Sequence, residues 1–379
     1  MTTTYSYDIP CTLGLESVLA DELTALGACD LQKRHGGIIC KGDKALGYRA
    51  CLWLRSAIRV QHLLGEFEVR EEKNLYEFVH AMPWEEWITP DDTLAVSATV
   101  RDSVFTHSGY VALTVKDAIV DRIRSKFGRR PSVDKRSPTL PLHIRLLKGK
   151  ASLARDLAGE SLHKRGYRPI QVKSPLNEAT AAGLLLLAGY DGKGLLLDPM
   201  CGSGTFLVEA AWIAMNRAPG LDRRFAFTAW PDFEDDLWHN IVGNALDAVN
   251  TDVSARFFGL DHHAGALSLA QQAVDAADTS ALVTLESGEA EDWIVPRIPD
   301  WVFTNPPWGE RLTEGVVESW TALGSFFRTC PGSNVHVLCG APELTKHIGM
   351  KANKKWEVRS GPINCRLLRY EVRNQAARP

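Results

Sequence analysis

Leu195-Leu196-Leu197 is a short, wholly apolar run. It leads through Asp198-Pro199-Met200-Cys201-Gly202-Ser203-Gly204-Thr205 into a second apolar run, Phe206, Leu207, Ala210 and Ala211, at helical spacing. An apolar run with no polar alternation reads as a strand covered on both faces, the condition of a parallel sheet packed between helices. The same grammar recurs at 257–260, 283–286, 301–304 and 335–338, with helical stretches between. That alternation predicts an α/β fold built on an open, doubly wound sheet. The last two runs, 356–358 and 367–372, are separated only by Arg359 to Arg366. A parallel crossover needs about a dozen residues or more, so an antiparallel hairpin is expected there. The reading is a mostly parallel sheet with an antiparallel terminal strand.

The 379 residues exceed what one hydrophobic core usually spans, so two or three domains are expected. Upstream of 176 the pattern is α+β. A helix is predicted over 10–27 and a hairpin-like segment around Ile38-Ile39. Helical spacing returns over 44–64, a strand is read at 93–100, and a helix at 109–127 has Val111, Val115, Ile119 and Ile123 four apart. A closing hairpin turns about Gly149. The richest apolar stretch, 179–197, is cut by Gly189, Asp191 and Lys193, so no membrane span is expected. Asp8 and Glu16 stand where a secretion signal needs a basic start and an apolar core, which places the protein in the cytoplasm. Eight cysteines lack Cys-x-x-Cys or His-x-x-x-His companions, so neither a metal site nor a disulfide framework is expected.

Charge divides the chain. Residues 1–173 hold 26 Lys/Arg against 21 Asp/Glu, net +5, and residues 174–379 hold 17 against 25, net −8. Within 122–150 ten cations (Arg122, Arg124, Lys126, Arg129, Arg130, Lys135, Arg136, Arg145, Lys148 and Lys150) face one acid, Asp134. Such a density suits release of counterions from a nucleic-acid backbone; a solvated loop and helix end is the other reading.

The turn at 198–205 lacks the third glycine of a dinucleotide fingerprint, Leu207 standing there, and lacks a P-loop lysine, Thr205 standing there. Asp198 precedes the turn and Asp261 ends the next strand, where a carboxylate can hold a ribose diol. An acid, a Gly-x-Gly and a second acid suit S-adenosylmethionine, which has no phosphate to bind; a merely structural turn is the alternative. After the fourth strand comes Asn305-Pro306-Pro307-Trp308. Two prolines remove backbone donors and present carbonyls rigidly. Asn305 Oδ1 and the Pro306 carbonyl could each accept one N–H of an exocyclic amine and direct its lone pair at a methyl group, with Trp308 stacked on the base. The bland reading is a proline-stiffened turn.

DPMCGSGT (198–205) with NPPWGER (305–311) resembles the class I methyltransferase domain that modifies the N2 amine of guanine in RNA. VKDAIVDRI (115–123), LHKRGYR (162–168) and GPINC (361–365) extend the resemblance to the enzymes that carry a THUMP RNA-binding domain before that domain. Their overall order is most similar to a bacterial family that makes N2-methylguanosine in 23S large-subunit ribosomal RNA. The resemblance implies a ferredoxin-like domain at 1–45, a THUMP domain at 46–158, a linker at 159–174 and a Rossmann-like methyltransferase domain at 175–379. It places Asp198, Met200, Cys201, Gly202, Ser203, Gly204, Thr205, Asp261, His262, Glu289 and Asn305 around S-adenosylmethionine, and Asn305, Pro306, Pro307 and Trp308 at the target amine. Glu291 and Asp292 compete with Glu289 for the adenine, and Tyr is commoner than Trp at position 308. Structured RNA is the expected partner, ribosomal RNA favoured over tRNA. The rivals are methylation of adenine N6 or of a glutamine amide, and a catalytically silent RNA-binding or assembly factor. Three features stay open. The cations of 159–168 either reach RNA or form a solvated linker, and Asn177, Glu178 and Thr180 either flank the cofactor or cap a helix. Aromatic-rich 217–238 is either a lid or packing.

Overall fold

The computed structural model describes residues 3–168, 176–295, 297–308, 315–361 and 363–373. The chain forms two compact units, neither of which is one contiguous segment. The first comprises Met1–Pro10, Glu22–Leu162 and Arg223–Asn244; the second comprises Cys11–Asp21, His163–Asp222 and Ala245–Pro379.

The first unit is built on one sheet, among the described residues, of strands β1 (Tyr5–Pro10), β2 (Cys29–Arg34), β3 (Gly37–Gly42), β4 (Gln61–Glu68), β5 (Thr93–Arg101), β6 (Ser132–Val133), β7 (Leu140–Leu147) and β8 (Lys150–Asp156). Their order is β2-β3-β1-β4-β8-β7-β5-β6. β4 pairs antiparallel with β1 on one side and with β8 on the other, so the sheet runs unbroken from the first strand to the last hairpin.

Helix α1 (Glu16–Ala25) is shorter than the predicted 10–27, because Gly14 takes φ +96 and its amide donates to Glu16 Oε2 at 2.8 Å. Helix α2 (Lys44–Trp53) starts where Asp43 caps the Leu46 amide at 2.7 Å, but the predicted helix to 64 stops short. Residues 61–68 are instead β4, whose few apolar residues, Leu63, Leu64 and Phe67, fit neither period clearly and whose identity is settled by its two sheet partners. Helices α3 (Glu72–Ala81) and α4 (Ser108–Phe127) follow. The latter buries Val111, Val115, Ile119 and Ile123 as its spacing requires and forms the crossover between parallel β5 and β7.

Of the aromatic-rich stretch 217–238, residues 223–238, which hold all its aromatic side chains, belong to the first unit. Phe227 stacks on Tyr48 with ring centroids 4.3 Å apart, and Trp238 meets Phe227 edge-on at the start of α7 (Asp235–Asp247). Trp230 donates its indole N–H to the Thr139 carbonyl at 2.8 Å and carries the Arg155 guanidinium 4.3 Å above its ring. Arg155 in turn grips Asp232 with two hydrogen bonds, at 2.9 and 2.6 Å. The choice between lid and packing therefore falls to packing.

In the second unit α5 (Glu178–Ala188), α6 (Thr205–Ala214), α8 (Ala264–Ala276) and α9 (Val316–Arg328) alternate with strands β9 (Leu195–Asp198), β10 (Arg256–Asp261), β11 (Val283–Ser287), β12 (Trp301–Thr304) and β13 (Asn334–Cys339). β14 (Ala352–Ser360) and β15 (Ile363–Glu371) close the sheet, whose order is β11-β10-β9-β12-β13-β15-β14. The first five strands are parallel, and β15 and β14 are antiparallel to their neighbours, as the sequence predicts. Trp320, Phe326 and Phe327 of α9 pack on Val302, Val335 and Val337, each large side chain worth about 1.5 to 3 kcal/mol of burial.

Candidate functional site

In an open parallel sheet the ligand crevice lies at the carboxyl ends of the strands, where the strand order reverses. Here β9 lies between β10 and β12, and the residues at those three strand ends are Asp198, Asp261 and Asn305. Gly202 at φ +54 and Gly204 at φ +73 turn the chain from β9 into α6. The turn is tied to β10 by the Cys201 amide donating to the Leu260 carbonyl and the Gly202 amide donating to Asp261 Oδ2, both at 2.9 Å. The other Asp261 oxygen accepts the His263 amide at 2.9 Å. A Cβ on Gly202 would point into open space.

Asp198 is buried and accepts the Met200 amide at 3.2 Å. Burial first, and the nearby Asp261 charge as a lesser cause, push its carboxyl up to about 7. A carboxylate so placed gains from a cationic partner.

Two adjacent clefts share Met200, Gly202 and Asn305. One, of about 440 Å³, is also lined by Asp198, Cys201, Ser203 and Thr205. The other, of about 290 Å³, is also lined by Asp261, His262, Glu289 and Pro307. The structure thus brings the candidate cofactor residues together, with Gly204 behind them shaping the turn. Glu291 lines a third cleft, which shares His262, Glu289 and Ser319 with the second, and His262 Nδ1 lies 3.8 Å from Glu289 Oε2. His263 lines the larger cleft beside the predicted His262, as do Ala266 and Leu269 of α8, two apolar residues that were missed because nothing in their types marks a ligand.

Asn305 follows β12 directly. Its Oδ1 accepts the Trp308 indole N–H at 2.8 Å, and the Pro307 carbonyl accepts the Trp320 indole N–H at 2.9 Å. The benzo part of Trp308 lies against Gly340, where a Cβ would come within 2.2 Å of Cε3. One group of the acceptor platform, Asn305 Oδ1, is therefore already engaged, and so is the neighbouring Pro307 carbonyl, by tryptophans whose role the tetrad's sequence does not disclose. Gly309, Glu310 and Arg311 lie outside the described residues.

Two charge readings change. Arg165, 2% exposed, lies beside Glu209 at 3.4 Å, and Glu209 also accepts the Tyr167 hydroxyl at 3.0 Å. Arg168 donates to the Leu176 carbonyl at 2.6 Å and the Thr205 hydroxyl at 2.9 Å, with Glu178 at 3.4 Å. These arginines brace the start of α6 and do not reach outward. Asn177 caps α5 through the Thr180 amide at 3.0 Å. In the basic stretch, Arg122 and Lys126 pair with Glu85, Arg124 with Asp121, Arg129 with Asp91 and Arg145 with Asp8. Arg130, Lys135, Arg136, Lys148 and Lys150 have no ion pair among the described residues.

The fold and the cleft together define a class I methyltransferase domain carried behind an α+β unit. Comparison with known proteins agrees: residues 165–369 match the RMKL-like methyltransferase domain, residues 69–156 the THUMP domain and residues 7–61 the RlmL ferredoxin-like domain. The chain belongs to the RMKL-like methyltransferase family. It is 39% identical over 378 residues to a ribosomal RNA large subunit methyltransferase K/L of Syntrophotalea carbinolica, the match covering 96% of this chain and 53% of that protein. The chain thus spans about half the length of that relative. A Synechocystis protein, provisionally named an RNA methyltransferase, is 34% identical with 98% and 97% of the two chains covered. A provisionally named methyltransferase solved with SAH superposes with a TM-score of 0.88 at 28% identity, covering 99% and 100% of the two chains. The class I methyltransferase family to which the chain belongs implies S-adenosylmethionine as the methyl donor, as the sequence predicts.

Proposed function

We propose that the chain transfers a methyl group from S-adenosylmethionine to the N2 amine of a guanosine in large-subunit ribosomal RNA, with the first unit gripping structured RNA. The observation that carries this reading is Asn305 at the junction of the two clefts, held by Trp308 and followed by two prolines.

The residues present fit the donor: a buried carboxylate, Asp198, awaits a cation, and the space over Gly202 is open. Asp198, Gly202 and Gly204 would hold the methionine part, Asp261 the ribose and Glu289 the adenine end, with Met200, Cys201, Ser203, Thr205 and His262 completing the walls. The bound donor supplies an electrophilic methyl group. A guanine N2 lone pair is delocalised into the ring. Asn305 Oδ1, with one lone pair taken by Trp308, keeps a second for an amine N–H, and the Pro306 carbonyl takes the other. That draws the nitrogen toward a pyramidal shape, and Trp308 would stack on the base with the face turned from Gly340. Alignment at about 3 to 3.5 Å then supplies much of the rate.

The test is to incubate the protein with labelled S-adenosylmethionine and, separately, unmodified ribosomal RNA and tRNA, and to identify the product nucleoside by mass spectrometry. N2-methylguanosine in ribosomal RNA alone supports the reading. The same product in tRNA alone moves the substrate, methyladenosine moves the target base, and no product from any RNA or ribosomal particle leaves a silent binding factor.

A further inference from the structure

Beyond the catalytic residues, we infer that a basic cleft over the antiparallel end of the second sheet holds the backbone of single-stranded RNA beside the target nucleotide. The inference rests on the RNA-methylating reading above.

The cleft, of about 420 Å³, is lined by Lys346, Lys351, Lys355 and Arg366 over an apolar floor that includes Leu368 and Tyr370. None of the four cations has an ion pair among the described residues. Residues 174–379 carry a net charge of −8, so the gathering of four of their 17 cations in one cleft is not what the composition of this part of the chain leads one to expect. Glu357 stands cross-strand from Arg366, and Glu343 precedes Lys346 by three residues, yet neither lines the cleft.

Its place in the fold gives the charge a purpose. Cys339, at the carboxyl end of β13, belongs to its wall, and the next residue, Gly340, is the one Trp308 packs against. A strand whose base enters at Asn305 and Trp308 and continues past Gly340 meets this cleft, which begins there. Three lysines suit phosphodiesters as point charges and Arg366 as a planar fork, and the apolar floor suits a ribose or base face. The ligand class is therefore unpaired RNA flanking the methylated nucleotide.

The experiment compares wild type, Lys351→Glu/Lys355→Glu and the control Lys193→Glu, which lies outside the cleft. Binding of a short fluorescein-labelled single-stranded RNA is followed by anisotropy against salt, with S-adenosylhomocysteine affinity measured by calorimetry. Both lysines of the double variant are exposed, so the fold should survive. The expectation is RNA affinity at least about tenfold lower at low salt and a log–log salt slope reduced by about 1.4, or about 0.7 per lost phosphate contact. Cofactor affinity and the control should be unchanged. Equal RNA affinity and slope in wild type and double variant, with wild type still methylating, would overturn the cleft alone. A wild type that neither binds nor methylates RNA would overturn both readings. Loss of methylation only on ribosomal particles, with naked RNA bound normally, would make the cleft a protein contact and also overturn the inference.

Discussion

At the scale of single residues, Asp198 and Trp308 give the sharpest expectations. Burial holds the Asp198 carboxyl protonated below about 7. Its raised value makes it a stabilising group at low pH whose contribution is lost as pH rises through about 7, and a cationic ligand reverses that penalty. Affinity for S-adenosylhomocysteine should therefore fall as pH drops below about 7, by up to about tenfold per pH unit, and Asp198→Asn should flatten the profile. Calorimetry across that range checks it; a flat wild-type profile would remove Asp198 from the ammonium. For Trp308, the sequence alone leads one to expect that Trp308→Tyr keeps activity, because stacking is preserved. The 2.8 Å indole bond to Asn305 predicts otherwise. Trp308→Phe and Trp308→Tyr should each lower kcat about tenfold, the worth of one hydrogen bond of about 1 to 1.5 kcal/mol, with cofactor affinity unchanged. Wild-type kcat in both would show that the Asn305 amide needs no such partner.

At the scale of elements, the end of β13 controls the same tetrad from behind. A methyl group on Gly340 would overlap the Trp308 ring, so Gly340→Ala should push Trp308 away, lower kcat as Trp308→Phe does, and cost about 1 to 3 kcal/mol of overpacking in a denaturant titration. A variant with wild-type kcat would mean that the ring has room to move without releasing Asn305. Which elements the sequence discloses follows from how locally they are determined. β9, its turn and α6 were legible because a doubly covered strand has to be apolar throughout and the turn has to be glycine. The hairpin of β14 and β15 was legible because chain length forbids a crossover. β4 was not, since its identity depends on the partners on either side of it, β1 and β8, in a sheet assembled from distant segments. The four Asp and Glu partners of the basic stretch were invisible for the same reason where they lie far along the chain: Glu85 is 37 residues from Arg122. Trp320 was missed because a buried core tryptophan and one that also holds a carbonyl look alike in sequence.

At the scale of the whole molecule, the first unit closes only with a segment that follows α6 in the chain. Phe227 stacks on Tyr48 and is fully buried, so Phe227→Ala should cost about 3 to 5 kcal/mol, seen in denaturant unfolding followed by tryptophan fluorescence; a loss under about 1 kcal/mol would show the segment only rests on that unit. The basic surface of the same unit is where composition and structure part. Ten cations in 122–150 count as net +9 along the sequence, but ion pairs to Glu85, Asp121, Asp91 and Asp8 engage five of them. An already paired arginine offers less to a phosphate, since it has to give up its carboxylate. Lys135 and Arg136, without such partners among the described residues, should carry more of the RNA affinity than Arg129, which is held by Asp91. Lys135→Glu/Arg136→Glu should therefore reduce the salt slope of RNA binding by about 0.7 to 0.9 per lost phosphate contact, whereas Arg129→Glu should reduce it by less than one contact. Filter binding of ribosomal RNA fragments at several salt concentrations separates the two. If Arg129→Glu proves the more damaging, the ion pair opens to RNA and the count along the sequence is the better guide; if neither changes the slope, the RNA lies on another face of this unit.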